Sequence, residues 1–457
     1  GDASETGSSL GPGEFLTKWV PTPGQITPET VREGVETAIQ RMGGRPLDLL
    51  QLHAWAYWHP EWIDALFELA KLRREGLLRH IGLTNFDTAH ARMVLATGLP
   101  VVSNQVCFSL IDRRPMTGLS PLCAATELKL LCYGTIAGGL LTERWLGKRD
   151  VAADDMPTWS LMKYRRFIEA AEAGARGGGA DGGGRANGGS RANGSGANEG
   201  RARGGWDALQ ALLETQKSIA DERGVSMANV AIRWVLQQPG VAGAIVGARL
   251  GRSEHIDDTL RTFSFELSPE ECARLEAAAA QLGTVPGDSG DEYRQPPFLT
   301  AAGDLSDHLD ELPAPYPVEA AADPQRAHPH RQVALSGTEW ESLAGYSRAM
   351  RTGSTVRVSG TTATHGPQRI GGGDPASQTH FIIDKLEGAL RSLGARLEDV
   401  VRTRIFVDDL DDWEPVARAH GQRFAHIKPA NTLVQARLVG EGYRVEIEAD
   451  AEITPRD

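Results

Sequence analysis

Two polar side chains early in the chain are of types that could act on a carbonyl group. Lys18 follows the apolar residues Phe15 and Leu16, and His53 ends the apolar run of residues 47–53. A lysine lowers the pKa of a neighbouring phenol, and a histidine can orient a carbonyl oxygen. Taken alone, Lys18 is typical of a solvent-exposed lysine at a strand end. His53 alone is as often a structural histidine as a functional one. Together with the polar residues described next, they favour a catalytic site.

The pattern of an apolar run that ends in polar or small residues recurs further along the chain. These later runs end at Thr84, Asn85, Gln105, Tyr133, Gly134, Gly247 and Arg249. Amide side chains can hold the carboxamide of a nicotinamide, and a tyrosine ring can stack beneath it. Arg249 and Arg252 follow the last run, where barrels often bind phosphate. The alternatives are a core aromatic for Tyr133 and ordinary surface side chains for the two arginines.

Short apolar strands alternate with amphipathic helices in this part of the chain. The predicted strands cover residues 15–20, 47–53, 80–85, 100–106, 129–133 and 243–247. The predicted helices cover residues 28–42, 61–74, 87–96, 119–127, 207–223, 226–237, 252–260 and 268–282. Polar residues at the ends of such strands indicate an α/β fold, a (β/α)8 TIM barrel with its site at the strand ends. Because such a barrel has eight strands, we expect that two β/α units are missing before Lys18.

Residues 14–300 resemble an aldo/keto reductase. The segments that carry the resemblance are Leu16-Thr17-Lys18-Trp19, Asp48-Leu49-Leu50-Gln51-Leu52-His53, Ile81-Gly82-Leu83-Thr84-Asn85-Phe86, Val102-Ser103-Asn104-Gln105-Val106 and Ile245-Val246-Gly247-Ala248-Arg249. The family is a (β/α)8 barrel that moves a hydride from NADPH to an aldehyde or ketone. Its catalytic tetrad is Asp, Tyr, Lys and His, and the resemblance implies that Lys18 and His53 are the last two.

The resemblance also implies roles for other residues. The implied NADP(H)-binding residues are Thr84, Asn85, Gln105, Tyr133, Gly134, Gly247, Arg249 and Arg252. The implied substrate pocket for a small carbonyl compound contains Trp19, Trp55 and Tyr57. The family's aspartate and tyrosine have no counterpart, because no tyrosine precedes Tyr57. We therefore expect an N-terminally incomplete reductase whose turnover is impaired.

Residues 345–453 resemble the Rid family, also called YjgF, of imine and enamine deaminases. The matching segments are Gly345-Tyr346-Ser347-Arg348-Ala349, Val358-Ser359-Gly360-Thr361, Leu397-Glu398-Asp399-Val400-Val401-Arg402-Thr403, Pro429-Ala430-Asn431-Thr432 and Val445-Glu446-Ile447-Glu448-Ala449. The resemblance implies an α+β, chorismate-mutase-like fold that forms homotrimers, with Tyr346, Asn431 and Glu446 in the clefts between subunits. Deaminating members place an arginine at the position of Asn431 to bind the substrate carboxylate. An asparagine carries no charge and cannot make that two-pronged contact, so we do not expect deamination of 2-imino acids.

Composition divides the chain into successive parts. We expect a polar segment over residues 1–13, the reductase barrel over 14–283, a tail and linker over 284–332, and the Rid-like domain over 333–457. Residues 174–205 are rich in Gly, Ala, Asn and Ser, which predicts a flexible insertion within the barrel. In the last part we predict strands over 355–359, 400–407, 432–437 and 444–453, and helices over 378–393 and 413–424.

The overall composition excludes some classes of function. A formal charge of −12 argues against nucleic acid or an anionic membrane as the partner, and no apolar run approaches the roughly 20 residues of a membrane span. The four cysteines have neither metal-ligand nor disulfide spacing, and residues 1–13 do not resemble a secretory signal, which indicates a cytoplasmic protein without a bound metal. Three functions remain: an NADPH-dependent reductase, a non-catalytic NADP-binding or scaffold protein, and a Rid-type deaminase for a substrate without a carboxylate.

Overall fold

The chain forms two packed units. The computed structural model describes residues 14–176, 204–294, 312–320 and 331–454, except residues 15, 25, 248–250 and 252–254. The first unit contains a six-stranded sheet, and the second contains a seven-stranded sheet and a small hairpin. Within the described ranges, no helix combines the length and the apolar character that crossing a membrane requires.

Strands and helices alternate in the first unit. Its strands are β1 (Leu16–Trp19), β2 (Leu47–His53), β3 (Leu78–Thr84), β4 (Val101–Cys107), β5 (Lys129–Tyr133) and β6 (Val241–Ile245). Its helices are α1 (Pro28–Arg41), α2 (Glu61–Arg74), α3 (Thr88–Ala96), α4 (Leu119–Ala125), α5 (Trp159–Arg176), α6 (Gly205–Arg223), α7 (Met227–Leu236), α8 (Ile256–Leu260) and α9 (Pro269–Ala280). The six strands pair in parallel and in chain order. The predicted α/β architecture is therefore confirmed.

Local sequence signals position the elements that carry the site. The Thr27 hydroxyl accepts a hydrogen bond from the backbone of Thr30 and caps α1, whose first residue is Pro28. Asp87 caps α3 in the same way, because its carboxylate accepts the backbone N–H of His90. A short link between β3 and α3 leaves Asn85 with a φ of 56°. Asparagine tolerates this left-handed backbone better than most residues, so β3 can turn directly into α3.

Strand register determines which side chains meet at the sheet. His53 pairs with Thr84, and Thr84 pairs with Gln105. Residues in register on parallel strands project to the same face, so these three lie at one level near the carboxyl ends of the strands. Lys18 pairs with Gln51, which lies two residues before His53 on the same face of β2. Lys18 is therefore one level below His53.

The second unit is an α+β fold, as predicted. Its strands are β7 (Val318–Ala320), β8 (Arg331–Ala334), β9 (Ala349–Thr352), β10 (Thr355–Thr362), β11 (Thr364–His365), β12 (Gln368–Arg369), β13 (Val400–Val407), β14 (Ala430–Gln435) and β15 (Val445–Glu452). Its helices are α10 (Glu339–Ala344), α11 (Pro375–Ser392) and α12 (Trp413–Phe424). The larger sheet has the order β14-β13-β15-β10-β9-β8-β7, and α11 packs against both β15 and α12.

Two segments correct the sequence expectation. Helix α5 continues to residue 176, so the start of the expected insertion is helical, while residues 177–203 lie outside the described residues. The expected tail and linker is partly structured at both ends. Residues 288–294 return to the carboxyl ends of β2 and β3, and β7 joins the sheet of the second unit. These contacts depend on partners far away in sequence, which local composition does not reveal.

The two units meet where α3 packs against α11. The ring nitrogens of His90 lie 2.8 Å from the carboxylates of Asp87 and Asp384, and Arg423 donates to Asp384 at 2.6 Å. Burial opposes a charge on His90, but the two carboxylates outweigh burial and raise its pKa to about 9. A protonated histidine is therefore held between one carboxylate from each unit.

Candidate active site

His53 lies at the carboxyl end of β2 and is only 5% exposed. Its Nδ1 is 3.5 Å from the Asn85 side-chain nitrogen, whereas its Nε2 has no hydrogen-bond partner among the described residues. Burial, with the charges of Arg294 and Lys18, lowers the pKa of His53 to about 3. The imidazole is therefore neutral at ordinary pH. If Nδ1 accepts from Asn85, then Nε2 carries the hydrogen and can donate it to a carbonyl oxygen.

Lys18 and Trp19 project to opposite faces of β1. The residue Lys18 is exposed as a whole, but burial around its ammonium group and the charge of Lys163 lower its pKa. Trp19 faces α1, where a Cβ added to Gly34 would stand 2.6 Å from the indole nitrogen. Trp19 thus packs beneath a helix, and its part in a substrate pocket stays a prediction. Lys18 alone of the two shares a face with His53.

Three polar side chains surround His53 on the neighbouring strands. Thr84 is buried, and its hydroxyl has no hydrogen-bond partner in the described part of the chain. Asn85 accepts a hydrogen bond from the Tyr133 hydroxyl at 2.9 Å. Gln105 donates from its amide to the Gln51 side-chain oxygen at 3.0 Å. The ends of β2 to β5 therefore carry two separate hydrogen-bonded pairs, Asn85 with Tyr133 and Gln105 with Gln51, beside an unbonded Thr84 hydroxyl.

The remaining residues expected to bind a cofactor have different environments. Gly134 has a φ of +69°, and a Cβ at this position would stand 2.0 Å from the Tyr164 hydroxyl. Only glycine combines this backbone with this close approach. Gly247 is exposed beyond the end of β6. Arg249 and Arg252 lie outside the described residues, so their assignment to a phosphate rests on sequence alone.

Residues 288–294, here called the return segment, cover the ends of β2 and β3. The Arg294 guanidinium donates to the backbone oxygens of Ala54 at 2.6 Å and Asn85 at 2.7 Å. Gly290 has a φ of +86°, and a Cβ at this position would lie 2.0 Å from the Asn85 backbone oxygen. Close backbone approach and two charge-assisted hydrogen bonds thus fix this segment beside His53.

The return segment carries a buried carboxylate, Glu292, that pairs with two buried cations. The Glu292 carboxylate is 2.9 Å from Arg114 and 3.4 Å from Lys163, and Arg114 also pairs with Asp112 at 2.7 Å. Burial would raise the pKa of Glu292, but Arg114 and Lys163 outweigh burial and lower it to about 2. Glu292 is therefore an ionised carboxylate shared by two buried cations.

Tyr293 connects these charges to His53. Lys163 Nζ donates to the Tyr293 hydroxyl at 2.9 Å, and that hydroxyl lies 3.2 Å from the Tyr133 hydroxyl. The rings of Tyr293 and His53 meet edge to face, with their centroids 5.5 Å apart. Sequence analysis missed Lys163, Glu292 and Tyr293. The available signal was a run of charged and aromatic residues, 291–294, inside a stretch expected to be a tail.

The space beside His53 is small. A cavity of about 10 Å³, room for about one water molecule, is lined by His53 and Trp55 among other residues. Tyr57 does not line it, because its ring stacks on His90 with the centroids 3.4 Å apart and its hydroxyl accepts the Asp87 N–H. Tyr57 is thus buried, and its part in a substrate pocket stays a prediction. A larger cavity of about 570 Å³ lies at the opposite ends of β2 and β3, away from these polar groups.

The chemistry of the site suits a nicotinamide and a carbonyl compound. The unpartnered Thr84 hydroxyl and His53 Nε2 can bond to a carboxamide and to a carbonyl oxygen. The cavity of about 10 Å³ beside His53 and Trp55 is itself too small for a nicotinamide ring. In the described part of the chain, no group of three or more His, Cys, Asp or Glu side chains could hold a metal ion.

Two of the expected Rid cleft residues gather around one glycine. Arg348 donates to the Gly360 backbone oxygen at 2.8 Å, and its guanidinium lies 5.9 Å from the centre of the Tyr346 ring. A Cβ on Gly360 would stand 2.1 Å from the Glu446 carboxylate. Burial and the charge of Glu448 raise the pKa of Glu446, against the effect of Arg348. This group combines an aromatic ring, a cation and a carboxyl group.

Asn431 is exposed on β14, and its side-chain nitrogen donates to the Thr403 hydroxyl at 2.9 Å. An arginine could present two parallel donors to a carboxylate, but this amide has neither the charge nor the geometry. The structure therefore places the Asn431 side chain against β13 through Thr403.

The parallel β/α units and the polar groups at their carboxyl ends define a protein of the (β/α)-barrel class. The model of the aldo/keto reductase family matches residues 15–280, which is more than half of the chain. A second model, described as Endoribonuclease L-PSP, matches residues 337–453. The chain belongs to the aldo/keto reductase family and carries a C-terminal Rid/YjgF domain, of the kind that the second model describes.

Individual relatives match one unit or the other. An NADH-specific methylglyoxal reductase of Escherichia coli is 32% identical over 121 residues, which cover 26% of this chain and 36% of the relative. An uncharacterized protein of Streptomyces coelicolor is 36% identical over 120 residues, or 26% of this chain and 87% of that protein. The chain spans less than two thirds of the length of the reductases it matches.

A solved structure from Mycobacterium tuberculosis, a member of the YjgF/YER057c/UK114 family, is similar to the second unit. It is 44% identical to this chain, covers 27% of this chain and 99% of its own, and has a TM-score of 0.25.

Proposed function

We propose that the first unit binds NADP(H) and reduces an aldehyde or ketone. The observation that carries this proposal is the buried, neutral His53 with its unpartnered Nε2 at the strand ends. A donor of this kind can polarise a carbonyl group. Lys18 adds a positive charge on the same face of the sheet, which favours negative charge on the carbonyl oxygen.

The cofactor would be held by groups already at the strand ends. Thr84, Asn85 and Gln105 would bind the carboxamide, and the Tyr133 ring would support the nicotinamide. Arg249 and Arg252 would hold the 2′-phosphate that distinguishes NADPH from NADH. When bound, the cofactor supplies the hydride that the carbonyl carbon receives. Since one relative is named for NADH specificity, both nucleotides need to be compared.

We expect the protein to bind NADPH more tightly than NADH and to oxidise NADPH in the presence of an aldehyde or ketone. Replacing His53 with glutamine should lower kcat/KM by about 100-fold or more, because carbonyl polarisation is lost. Protein fluorescence measures nucleotide affinity, and NADPH absorbance measures turnover over a panel of carbonyl compounds. His80→Gln is the control, because His80 lies toward the opposite end of β3.

Two results would contradict this function in different ways. Failure to bind either nucleotide would exclude a cofactor site in the first unit. Binding without turnover on any carbonyl compound would instead favour the non-catalytic NADP-binding or scaffold protein. A His53→Gln variant as active as the parent would remove His53 from the mechanism.

For the second unit we propose a trimer-forming domain that binds a small ligand lacking a carboxylate. The observation that supports the lack of a carboxylate is Asn431, which is uncharged and hydrogen-bonded to Thr403. Deaminating relatives have an arginine at this position. Light scattering of the intact chain measures whether three copies associate.

The four cysteines of the chain, all free thiols, support a reducing compartment such as the cytoplasm.

We expect the parent to release no ammonia from 2-imino acids and Asn431→Arg to gain this activity, because arginine restores the two-pronged carboxylate contact. Asn431→Lys is the matched control, since lysine restores the charge without the planar fork. Ammonia release from freshly generated imines is the measurement. Deamination of 2-imino acids by the parent would refute the assignment.

A further inference from the structure

Reduction of a carbonyl group needs a proton as well as a hydride. The structure contains a hydroxyl group suited to supply it, on the Tyr293 side chain of the return segment. This tyrosine is distant in sequence from both Lys18 and His53, and only the fold brings it to the strand ends.

The surroundings of Tyr293 are those of a supported proton donor. Its hydroxyl accepts a hydrogen bond from Lys163 at 2.9 Å, and Lys163 is itself 3.4 Å from Glu292. Burial disfavours the charge on Lys163, but the neighbouring Tyr293 and Glu292 outweigh burial and raise its pKa. An ammonium group that bonds to a phenol oxygen stabilises the phenolate left after the proton departs.

Tyr293 also lies next to His53. Its ring lies edge to face with His53, with the centroids 5.5 Å apart, so the two side chains adjoin the same strand ends. Two other tyrosines lie nearby. The Tyr133 hydroxyl is 3.2 Å from that of Tyr293 but makes its shortest hydrogen bond to Asn85 at 2.9 Å, and the Tyr57 hydroxyl accepts the Asp87 N–H.

We propose that Tyr293 is the proton donor for carbonyl reduction, with Lys163 and Glu292 as positioning residues. This inference rests on the reductase function proposed above. As the carbonyl carbon gains the hydride, the C–O π bond breaks and its electron pair moves to oxygen. That oxygen takes the proton from Tyr293 Oη, which gives an alcohol, and water later returns a proton to the phenolate. Glu292, Lys163, Tyr293 and His53 thus make a carboxylate, lysine, tyrosine and histidine set.

The first test is Tyr293→Phe in the full chain. We expect kcat to fall by about 100- to 10,000-fold, because the proton donor is lost, while NADPH affinity measured by fluorescence stays at the parental value. Tyr164→Phe is the matched control, since it removes a buried hydroxyl next to Lys163 in sequence that contacts Cys107 instead. Lys163→Met should lower kcat and change its pH profile, a change that a merely structural role would not produce.

A second test moves the segment rather than the side chain. Gly290→Ala places a methyl group against the Asn85 backbone oxygen and should displace Tyr293, so kcat should fall with it. Gly98→Ala is its control, because Gly98 has a similar φ of +82° but open space around the added carbon. The two variants share the backbone strain and differ in the close contact.

The outcomes separate this inference from the reductase function itself. Parental turnover with unchanged kcat in Tyr293→Phe would overturn the role of Tyr293 and leave the reductase function intact. NADPH binding without any parental turnover would also overturn it. Loss of NADPH binding in the parent would instead reject the reductase function, and the proton-donor role with it.

Discussion

Replacing Glu292 with glutamine is expected to lower the free energy of unfolding by about 3–5 kcal/mol, because two buried cations lose their shared carboxylate. Arg114 keeps Asp112 as a partner, whereas Lys163 keeps its hydrogen bond to the neutral Tyr293 hydroxyl. Urea unfolding followed by tryptophan fluorescence measures the change. The expected loss is a large fraction of the stability of an ordinary domain.

The effect of Glu292 depends on pH in a defined direction. Its pKa is about 2 in the folded chain and near 4.5 when unfolded. Its stabilisation is therefore complete above pH 4.5 and is lost as the pH falls toward 2. Glu414→Gln is the control, because its partner Arg418 is 75% exposed and the pair should contribute less than about 1 kcal/mol. Equal effects of the two substitutions would contradict the expected ion network.

Replacing His90 with glutamine is expected to weaken the contact between the two units. The free energy of unfolding should fall by about 3 kcal/mol. The protonated ring joins Asp87 of the first unit to Asp384 of the second. Glutamine keeps some hydrogen bonding but leaves both carboxylates without their shared positive charge. Urea unfolding at slightly acidic pH, with both units monitored, measures the loss.

The pH dependence of the His90 contribution has the opposite sign to that of Glu292. The pKa of His90 is raised from 6.5 in the unfolded chain to about 9 in the folded chain. The parent should therefore keep this stabilisation below pH 6.5 and lose it as the pH rises through 9, whereas the His90→Gln variant should lack that alkaline decline. A parent with the same stability at pH 6 and pH 10 would exclude a charged His90.

His365→Gln is the matched control for His90, because His365 also contacts a carboxylate of the other unit, Asp64, at 2.7 Å. Asp64 is 53% exposed, so this pair is screened by water and should contribute less than about 1 kcal/mol. If His365→Gln cost as much as His90→Gln, the expectation that burial strengthens the His90 ion pairs would be wrong.

Regular elements with strong local signals were predictable to the residue. The bounds of β2, α2, β5, β13 and α12 agree with the sequence prediction, because apolar periodicity and end signals lie within each segment. Helix α5 was missed although the Thr158 hydroxyl caps its start by accepting the Leu161 N–H at 3.3 Å, because its C-terminal end merges into Gly- and Ala-rich sequence.

Only those residues of the candidate site that lie at strand ends could be predicted from the sequence. His53, Thr84 and Gln105 meet because parallel register aligns them, as an apolar run with a polar end suggests. Lys18 shares the face of His53 through its register with Gln51, whereas Trp19, the next residue of β1, projects to the opposite face. Glu292 and Tyr293 escaped prediction because their docking depends on Lys163, about 130 positions away, and no local pattern encodes such a contact.

The return segment also sets the order in which the site can be completed. Its hydrogen bond from Arg294 to Ala54 spans 240 positions, and the His90 to Asp384 bond spans 294. Closing such long loops costs entropy that only a largely formed partner surface can offset. During synthesis, β2 and β3 leave the ribosome long before residue 294 exists. The carboxyl ends of β2 and β3 must therefore remain uncovered until late in folding. During that time they are a place where a nascent chain is prone to aggregate.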